Sequence, residues 1–364
     1  MNSLYDIAVI GTGPAGAFLV KHLDSRFKVI VIDRKSNKDA EGFCKPCGGL
    51  LAPDAQKSLS RFNMPLPKDI LVSPQIFSVR TIDVKSKLVR YYQRHYINLD
   101  RHKFDQWLGS QIPKHVKVHN NATCTDIKKV NDVYEITFYE HGKYKKIRST
   151  YLVGADGAAS IVRRKLFKDI YIQKYIAIQQ WFQDTHETPF YSCIFDSDTT
   201  NSYAWGLSKD GSFIFGGAFK IKNGRSNFEA LKTKLKHYGF RLGKPEKTEA
   251  CLVLLPRHLK NFCTGKERAF LCGEAAGFIS PSSLEGISYA IDSAFMLAQC
   301  LNKGGTEINK KYKKATRNIR LKLLLKNVKR PFMYNPFIRK IIMKSGISSI
   351  NLVTDKPGAN HKNT

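Results

Sequence analysis

Four stretches of the chain combine glycines with a carboxylate or a thiol in spacings that suit nucleotide and redox chemistry. The first is Gly11-Thr12-Gly13-Pro14-Ala15-Gly16, with its glycines in the G-x-G-x-x-G spacing. There Gly11 permits a tight strand-to-helix turn, Gly13 lets a pyrophosphate approach the backbone, and Gly16 lets helix and strand pack closely. Asp33 stands about 20 residues further on, followed by Arg34; a carboxylate there can accept from both hydroxyls of an adenosine ribose. The second stretch, Gly154-Ala155-Asp156-Gly157, puts an acid at the end of an apolar strand. The third runs Gly273-Glu274-Ala275-Ala276-Gly277 and on to Pro281, Gly286 and Ile287. Gly286 precedes a helical pattern whose free N–H groups could face a ligand.

The fourth stretch is Cys44-Lys45-Pro46-Cys47-Gly48-Gly49. A zinc site would need a second ligand pair, and no other C-x-x-C occurs, so no metal is expected. A thioredoxin-like redox pair would sit at a helix start, which Gly48-Gly49 opposes. A tight loop against a ligand and a purely structural turn both remain. Arg101 is a further oddity. Asp100 can cap a helix bearing Phe104, Trp107 and Leu108, and a cation at its start opposes the helix dipole. An anionic ligand nearby would account for Arg101; a solvated side chain is the alternative.

These groups need elements to hold them. Apolar runs at 7–10 and 27–32, with helical periodicity at 17–23 between them, predict a buried strand-helix-strand unit. Residues 54–62 read as a short helix; 76–84, 88–92, 116–118, 122–128 and 133–139 read as strands. His141-Gly142 and Asp210-Gly211 are hairpin turns by composition. A helix is expected near Ser160, another over 228–238 and a third over 287–301. Between 175 and 219 the strands carry many aromatic residues, including Trp181, Phe195, Tyr203, Trp205, Phe215 and Phe219, which suits an apolar ligand or an ordinary β core. Leu321, Leu324, Leu325 and Val328 fall on one helical face.

The chain has 364 residues, enough for a sizeable core and two domains. Sixty Lys plus Arg against thirty Asp plus Glu gives a net charge of +30, favouring anionic partners. Thirteen basic residues and no acidic one lie between Lys310 and Ile350. With Phe332, Tyr334, Phe337, Ile341 and Ile342, that segment could lie on an anionic membrane or pack on the protein's own body. No apolar run is long enough to span a bilayer, and no named nucleic-acid module occurs, so no specific nucleic acid is expected. Eight scattered cysteines and an N-terminus lacking a basic leader favour a reducing, cytoplasmic setting, peripheral at the inner face of the membrane. The expected fold class is α/β, α+β overall. A Rossmann-like nucleotide-binding domain takes 1–70, 95–170 and 262–302. An antiparallel β substrate domain takes 71–94 and 171–261, basic helices take 303–352, and 353–364 is expected to be a disordered tail. A monomer is expected.

Taken together, the three glycine-acid segments resemble the para-hydroxybenzoate-hydroxylase-like FAD proteins across residues 1–300. Within them, Cys47-Gly48-Gly49, Arg101-x-x-Phe104-Asp105-x-Trp107-Leu108 and Tyr203-x-Trp205 resemble the geranylgeranyl reductase family, and 45–53 are similar to its small bacterial CbrA-type branch. The resemblance implies that Gly11, Gly13, Pro14, Ala15, Gly16, Asp33 and Arg34 hold the ADP half of FAD. Asp156, Gly157, Gly273, Glu274, Gly277, Gly286 and Ile287 would line the rest, with Arg101, Cys47, Gly48 and Gly49 beside the flavin. Tyr203 and Trp205 would line a prenyl pocket, with Cys47 and Tyr203 as catalytic residues. Two positions depart from the family: Glu274 replaces its usual Asp, and Leu207-Ser208 replace its usual Phe-Pro.

The implied activity is reduction of carbon–carbon double bonds in a polyprenyl or other apolar lipid, with NAD(P)H or an acidic electron carrier as donor. The same motifs serve flavin monooxygenases, which would consume oxygen with substrate. A non-catalytic protein binding nucleic acid or anionic lipid would instead purify colourless.

Overall fold

The computed structural model describes residues 4–35, 45–184 and 189–352. β1 (Leu4–Ile10) turns through the glycine loop into α1 (Pro14–Lys21) and returns as β2 (Val29–Ile32). Then come β3 (Leu50–Leu51), α2 (Pro53–Arg61), β4 (Ile76–Asp83), β5 (Leu88–Asn98) and α3 (Arg101–Ser110). β6 (Lys117–His119), β7 (Thr123–Val130), β8 (Val133–Glu140) and β9 (Lys143–Gly154) lead into α4 (Ile161–Leu166). The middle of the chain supplies β10 (Gln173–Gln183), β11 (Phe190–Phe195), β12 (Ala204–Lys209), β13 (Ser212–Lys220), α5 (Gly224–Leu235) and β14 (Lys247–Leu255). Last are β15 (Gly265–Lys266), β16 (Ala269–Leu271), α6 (Ile287–Lys303), α7 (Ile308–Ala315), α8 (Arg317–Val328), α9 (Arg330–Tyr334), α10 (Pro336–Ser345) and β17 (Ser349–Ile350).

The first sheet runs β15-β16-β9-β1-β2-β6, with β7 and β8 continuing from the N-terminal half of β9. β16, β9, β1, β2 and β6 are parallel. Ile7, Val9, Val29, Val31 and Val153 face the helices α1 and α6; Ala8, Ile10, Ile30, Ile32 and Leu152 face β7, β8 and α8. Burial on both faces is why β1 and β2 read as unbroken apolar runs. The predicted strand-helix-strand unit stands, and parallel pairing brings Gly154, Leu271 and Ile10 to one end of the sheet. The carboxyl ends of such strands are where an open α/β sheet builds ligand sites.

The second sheet runs β14-β10-β13-β12-β11-β4-β5-β17. It was expected to be antiparallel; one pair, β4 with β11, is parallel. The two strands are separated by a long excursion through the first sheet, so no tight hairpin constrains their direction. α5 packs Phe228, Leu231 and Leu235 onto Phe215 and Phe219.

The C-terminal helices cross both sheets. Ile319 and Leu323 of α8 are buried on the first sheet, whereas Leu321, Leu325 and Val328 are 46%, 65% and 63% exposed. The expected apolar face is thus the outer one. Apolar residues ring α8, and the sheet takes only one side of it. α10 is pinned by Arg339, whose Nε lies 2.9 Å from Asp83 Oδ2 in a fully buried ion pair. No described helix is long and apolar enough to cross a membrane.

Candidate functional site

The dinucleotide loop leaves no room where it must be tight and open space where a ligand would come. Gly11 has φ +102°, and a β-carbon there would fall 2.7 Å from the Ala155 carbonyl oxygen. One on Gly16 would fall 1.8 Å from the Gly11 carbonyl oxygen. At Gly13 the nearest atom is the Lys35 Nζ at 3.9 Å. Gly13 also caps α1, with Pro14 and Ala15 next, and no side chain covers the free N–H groups of the first turn. Asp33 is buried; its Oδ2 accepts from the Thr12 N–H and hydroxyl, and its Oδ1 from the Lys35 N–H. Arg34 is exposed beside it. Gly16→Ala is expected to open this turn, lowering stability by about 1–3 kcal/mol and abolishing dinucleotide retention; a thermal melt with and without nucleotide reads both effects.

The other two glycine-acid segments meet this loop. Gly273 has φ +57°, and a β-carbon there would lie 2.8 Å from that of Ala15. A β-carbon on Gly157 would lie 4.0 Å from Glu274 Oε2. Arg163 ties the segments together, donating to the Ala158 and Ala275 carbonyls at 2.5 and 2.6 Å. Asp156 Oδ2 accepts from the Ile161 N–H at 2.7 Å and so caps α4, while its Oδ1 is buried with no partner. Burial pushes the Asp156 carboxyl up. Glu274 Oε1 accepts from the Leu254 N–H at 3.1 Å, and Oε2 pairs with Lys45 Nζ at 2.5 Å. The extra methylene of Glu gives this carboxylate its reach to both partners. Burial pulls the Lys45 ammonium down, but Glu274 more than offsets it. Gly277 closes the turn at φ +86°, and Gly286 caps α6 without a side-chain bond, leaving the N–H groups at Ile287 open.

The Cys47 loop lies against this assembly. Gly49 has φ +67°, and a β-carbon there would meet the Leu99 carbonyl oxygen at 2.2 Å and Lys209 Nζ at 2.3 Å. Gly48 lies against Leu207 and Trp205. Arg101 is not solvated: its Nε lies 3.0 Å from Asp105 Oδ1, and Lys35 Nζ lies 2.7 Å from Oδ2. Burial opposes the Asp105 charge, yet Arg101 and Lys35 hold its carboxyl at about 2. Burial raises the Cys47 thiol, but Arg101, the Gly49 N–H and Lys45 together bring it below the ordinary thiol value. Burial pulls Lys209 down to about 8; its ammonium donates to the Leu99 carbonyl at 2.5 Å. The other described cysteines are all raised by burial, Cys124 and Cys193 to about 12, Cys251 and Cys263 to about 11. Iodoacetamide at neutral pH is therefore expected to label Cys47 at least about tenfold faster than these, because the thiolate is the nucleophile; equal labelling of Cys124 or Cys251 in peptide maps would contradict this. Cys44 lies outside the described residues, as does the expected tail.

A row of rings continues from the loop. Trp205 lies across Gly216, where a β-carbon would meet it at 2.5 Å, and its Nε1 is buried without a partner. Trp205 and Tyr203 have ring centroids 5.8 Å apart, Tyr203 and Phe195 6.4 Å, and Phe195 and Tyr334 5.8 Å. The Tyr203 hydroxyl donates to the Ser283 carbonyl at 2.7 Å, and burial pushes it well above the usual phenol value.

Sequence reasoning missed Lys35, Lys45, Asp105 and Lys209 as members of the site. Arg101 and Asp105 stand at the i,i+4 spacing of a helical ion pair, a signal that was legible. Nothing local marks Lys209, which reaches the loop only through sheet pairing. The assembly offers free N–H groups for phosphates, cations beside them, a thiol held below its ordinary value and a row of aromatic rings. It fits a dinucleotide with a redox-active ring.

No protein-family model matches the chain. Protein CbrA of Escherichia coli strain K12 is 50% identical over 351 residues, covering 96% of this chain and 99% of the relative. A geranylgeranyl bacteriochlorophyll reductase-like protein from Thermoplasma acidophilum has a similar structure, with TM-score 0.77 at 17% identity over 95% of this chain and 92% of that one. A p-nitrophenol 4-monooxygenase from Pseudomonas putida DLL-E4 has TM-score 0.67 at 14% identity, over 95% and 94%.

Proposed function

The chain belongs to the CbrA family, and we propose that it is an FAD-dependent oxidoreductase that reduces carbon–carbon double bonds of a polyprenyl or similar apolar lipid. The observation that carries this reading is the meeting of three distant glycine-acid segments, with the Cys47-Gly48-Gly49 loop and Trp205 lying against one another beside them. Gly11, Gly13, Gly16, Asp33 and the α1 N-terminus would hold the ADP half. Arg101, Lys45, Asp156, Glu274 and the α6 N-terminus would hold the remainder. When bound and reduced, FAD supplies a hydride to one alkene carbon.

The chain's own residues would handle the proton for the other carbon. Tyr203 is a weak donor, its hydroxyl committed to Ser283 and its acidity lowered by burial. Cys47 is the more acidic group, its thiol lying below the ordinary value, and Lys209, at about 8 and interacting with it, carries a proton near neutral pH that would restore the thiol after each transfer. The faces of Trp205 and Tyr203 would stabilise positive character on the alkene and exclude water. A decline in turnover as pH rises through about 8, absent in Lys209→Met, is expected from this assignment. Electrons would come from NAD(P)H or an acidic carrier drawn by the net charge of +30.

The test is anaerobic incubation of the reduced holoprotein with prenyl lipids. Flavin reoxidation and a product heavier by two hydrogens per reduced bond are expected. Substrate-dependent oxygen consumption with an oxygenated product would instead assign the monooxygenase chemistry named for one structural neighbour.

A further inference from the structure

Two half-buried free thiols, Cys47 and Cys251, come together where the Cys47 loop meets β14, the edge strand of the second sheet. The Cys251 Sγ donates to the Pro46 carbonyl at 3.8 Å, and that carbonyl belongs to the peptide bond carrying the Cys47 nitrogen. The contact is not isolated. Lys45 Nζ pairs with Glu274 Oε2 at 2.5 Å, and Glu274 Oε1 accepts from the Leu254 N–H of the same strand at 3.1 Å. Residues 45–47 are thus fastened to 251–254 at two points, and the charge of Cys47 is felt at Cys251. The two thiols differ in character. The Cys47 Sγ accepts from the Gly49 N–H at 3.5 Å and has Arg101 and Lys45 beside it, which favours its thiolate. Burial keeps Cys251 protonated, at about 11. The reaction proposed above uses Cys47 and leaves Cys251 without a task.

We propose that Cys47 is a site of oxidation by hydroperoxides and that Cys251 resolves the oxidised sulfur into a disulfide joining the loop to β14. In the first step the Cys47 thiolate attacks the terminal oxygen of the hydroperoxide. An S–O bond forms, the O–O bond breaks, and the departing hydroxide or alkoxide takes a proton from water. The sulfur gives up two electrons and becomes a sulfenic acid. In the second step the Cys251 sulfur attacks that of Cys47. The S–S bond forms, the S–O bond breaks, and the hydroxyl leaves as water with the Cys251 proton. Two thiols and one hydroperoxide thus give one disulfide, one water, and a second water or an alcohol. An ionised attacking thiol beside a protonated resolving one suits this sequence, because the leaving hydroxyl needs the proton that Cys251 still carries. Hydrogen peroxide is the by-product of reduced flavins with dioxygen, so the oxidant is one that a flavoprotein meets. The disulfide would take Cys47 out of proton transfer. The inference goes beyond the lipid-reductase reading and does not require it, since added peroxide suffices.

The test treats the holoprotein with hydrogen peroxide at neutral pH, with and without the sulfenic-acid trap dimedone, and maps its cysteines by mass spectrometry before reduction. A linked Cys47–Cys251 peptide pair that dithiothreitol separates is expected, with both thiols lost for each peroxide consumed. In Cys251→Ser the linkage should vanish and dimedone should label Cys47 instead. That variant only exchanges sulfur for oxygen, and a matching circular-dichroism spectrum certifies its fold. Cys47 should be oxidised at least about tenfold faster than Cys124, whose thiol burial raises to about 12. A disulfide between Cys47 and Cys44 would give the resolving part to the loop itself and overturn the role of Cys251. Cys47 that stays reduced, is oxidised no faster than Cys124, or passes to the sulfinic acid without a disulfide overturns the proposal. If the disulfide forms while no alkene is reduced by the holoprotein, the reductase reading fails and the thiol pair stands.

Discussion

Replacing Arg339 with Met is expected to lower stability by about 3–5 kcal/mol, the cost of leaving a buried charge without its partner. Arg339 and Asp83 are 5% and 0% exposed at their side chains. The guanidinium also donates to the Met333 carbonyl at 2.7 Å and lies over the Phe195 ring at 4.8 Å. It therefore fastens α9 and α10 to β4 and to one member of the aromatic row. Adding Asp83→Leu to the same variant should recover much of the loss, since the stranded carboxylate is then gone. Urea unfolding of the two variants measures both effects. A single-variant loss under about 1 kcal/mol, or no recovery in the double, would mean that the pair does not hold the C-terminal helices.

Arg101→Leu should have a comparable effect and a chemical signature besides. It removes the main partner of buried Asp105 and the main cation acting on Cys47. The sign follows from the directions of the shifts. Asp105 is held at about 2, below its unfolded value near 4, so its contribution to stability is fully present above about pH 4. That contribution is lost as pH falls from about 4 to 2. The variant should be about 3 kcal/mol less stable at neutral pH, and its stability should fall less over that acid window. Cys47 should return above the ordinary thiol value, so that its alkylation midpoint moves to higher pH. Unchanged alkylation kinetics at Cys47 would remove Arg101 from the thiol's surroundings, whatever the stability result.

The parts of this molecule that sequence made legible are those written in neighbouring residues. The β1-α1-β2 unit follows from apolar runs around glycines that tolerate no side chain. Asp100 caps α3 through the His102 and Lys103 N–H groups. His141-Gly142 and Asp210-Gly211 take the two positive φ values of a type I′ hairpin. What escaped sequence reading depends on distant partners. β4 pairs with β11 in parallel because no hairpin joins them. Lys209 reaches Gly49 only because β12 lies beside the loop. Asp83 and Arg339 come from opposite ends of the chain, and α8 has apolar residues on every side, so its periodicity did not choose the buried face.

The central claim is that three distant glycine-acid segments enclose one flavin dinucleotide. Its most direct test is the cofactor content of the protein purified without added nucleotide, then incubated with FAD and desalted. The account predicts a flavin absorption spectrum, FAD released on denaturation at close to one per chain, and loss of both in Gly16→Ala. A protein that stays colourless after incubation, or a Gly16→Ala variant that retains FAD as the parent does, would contradict it.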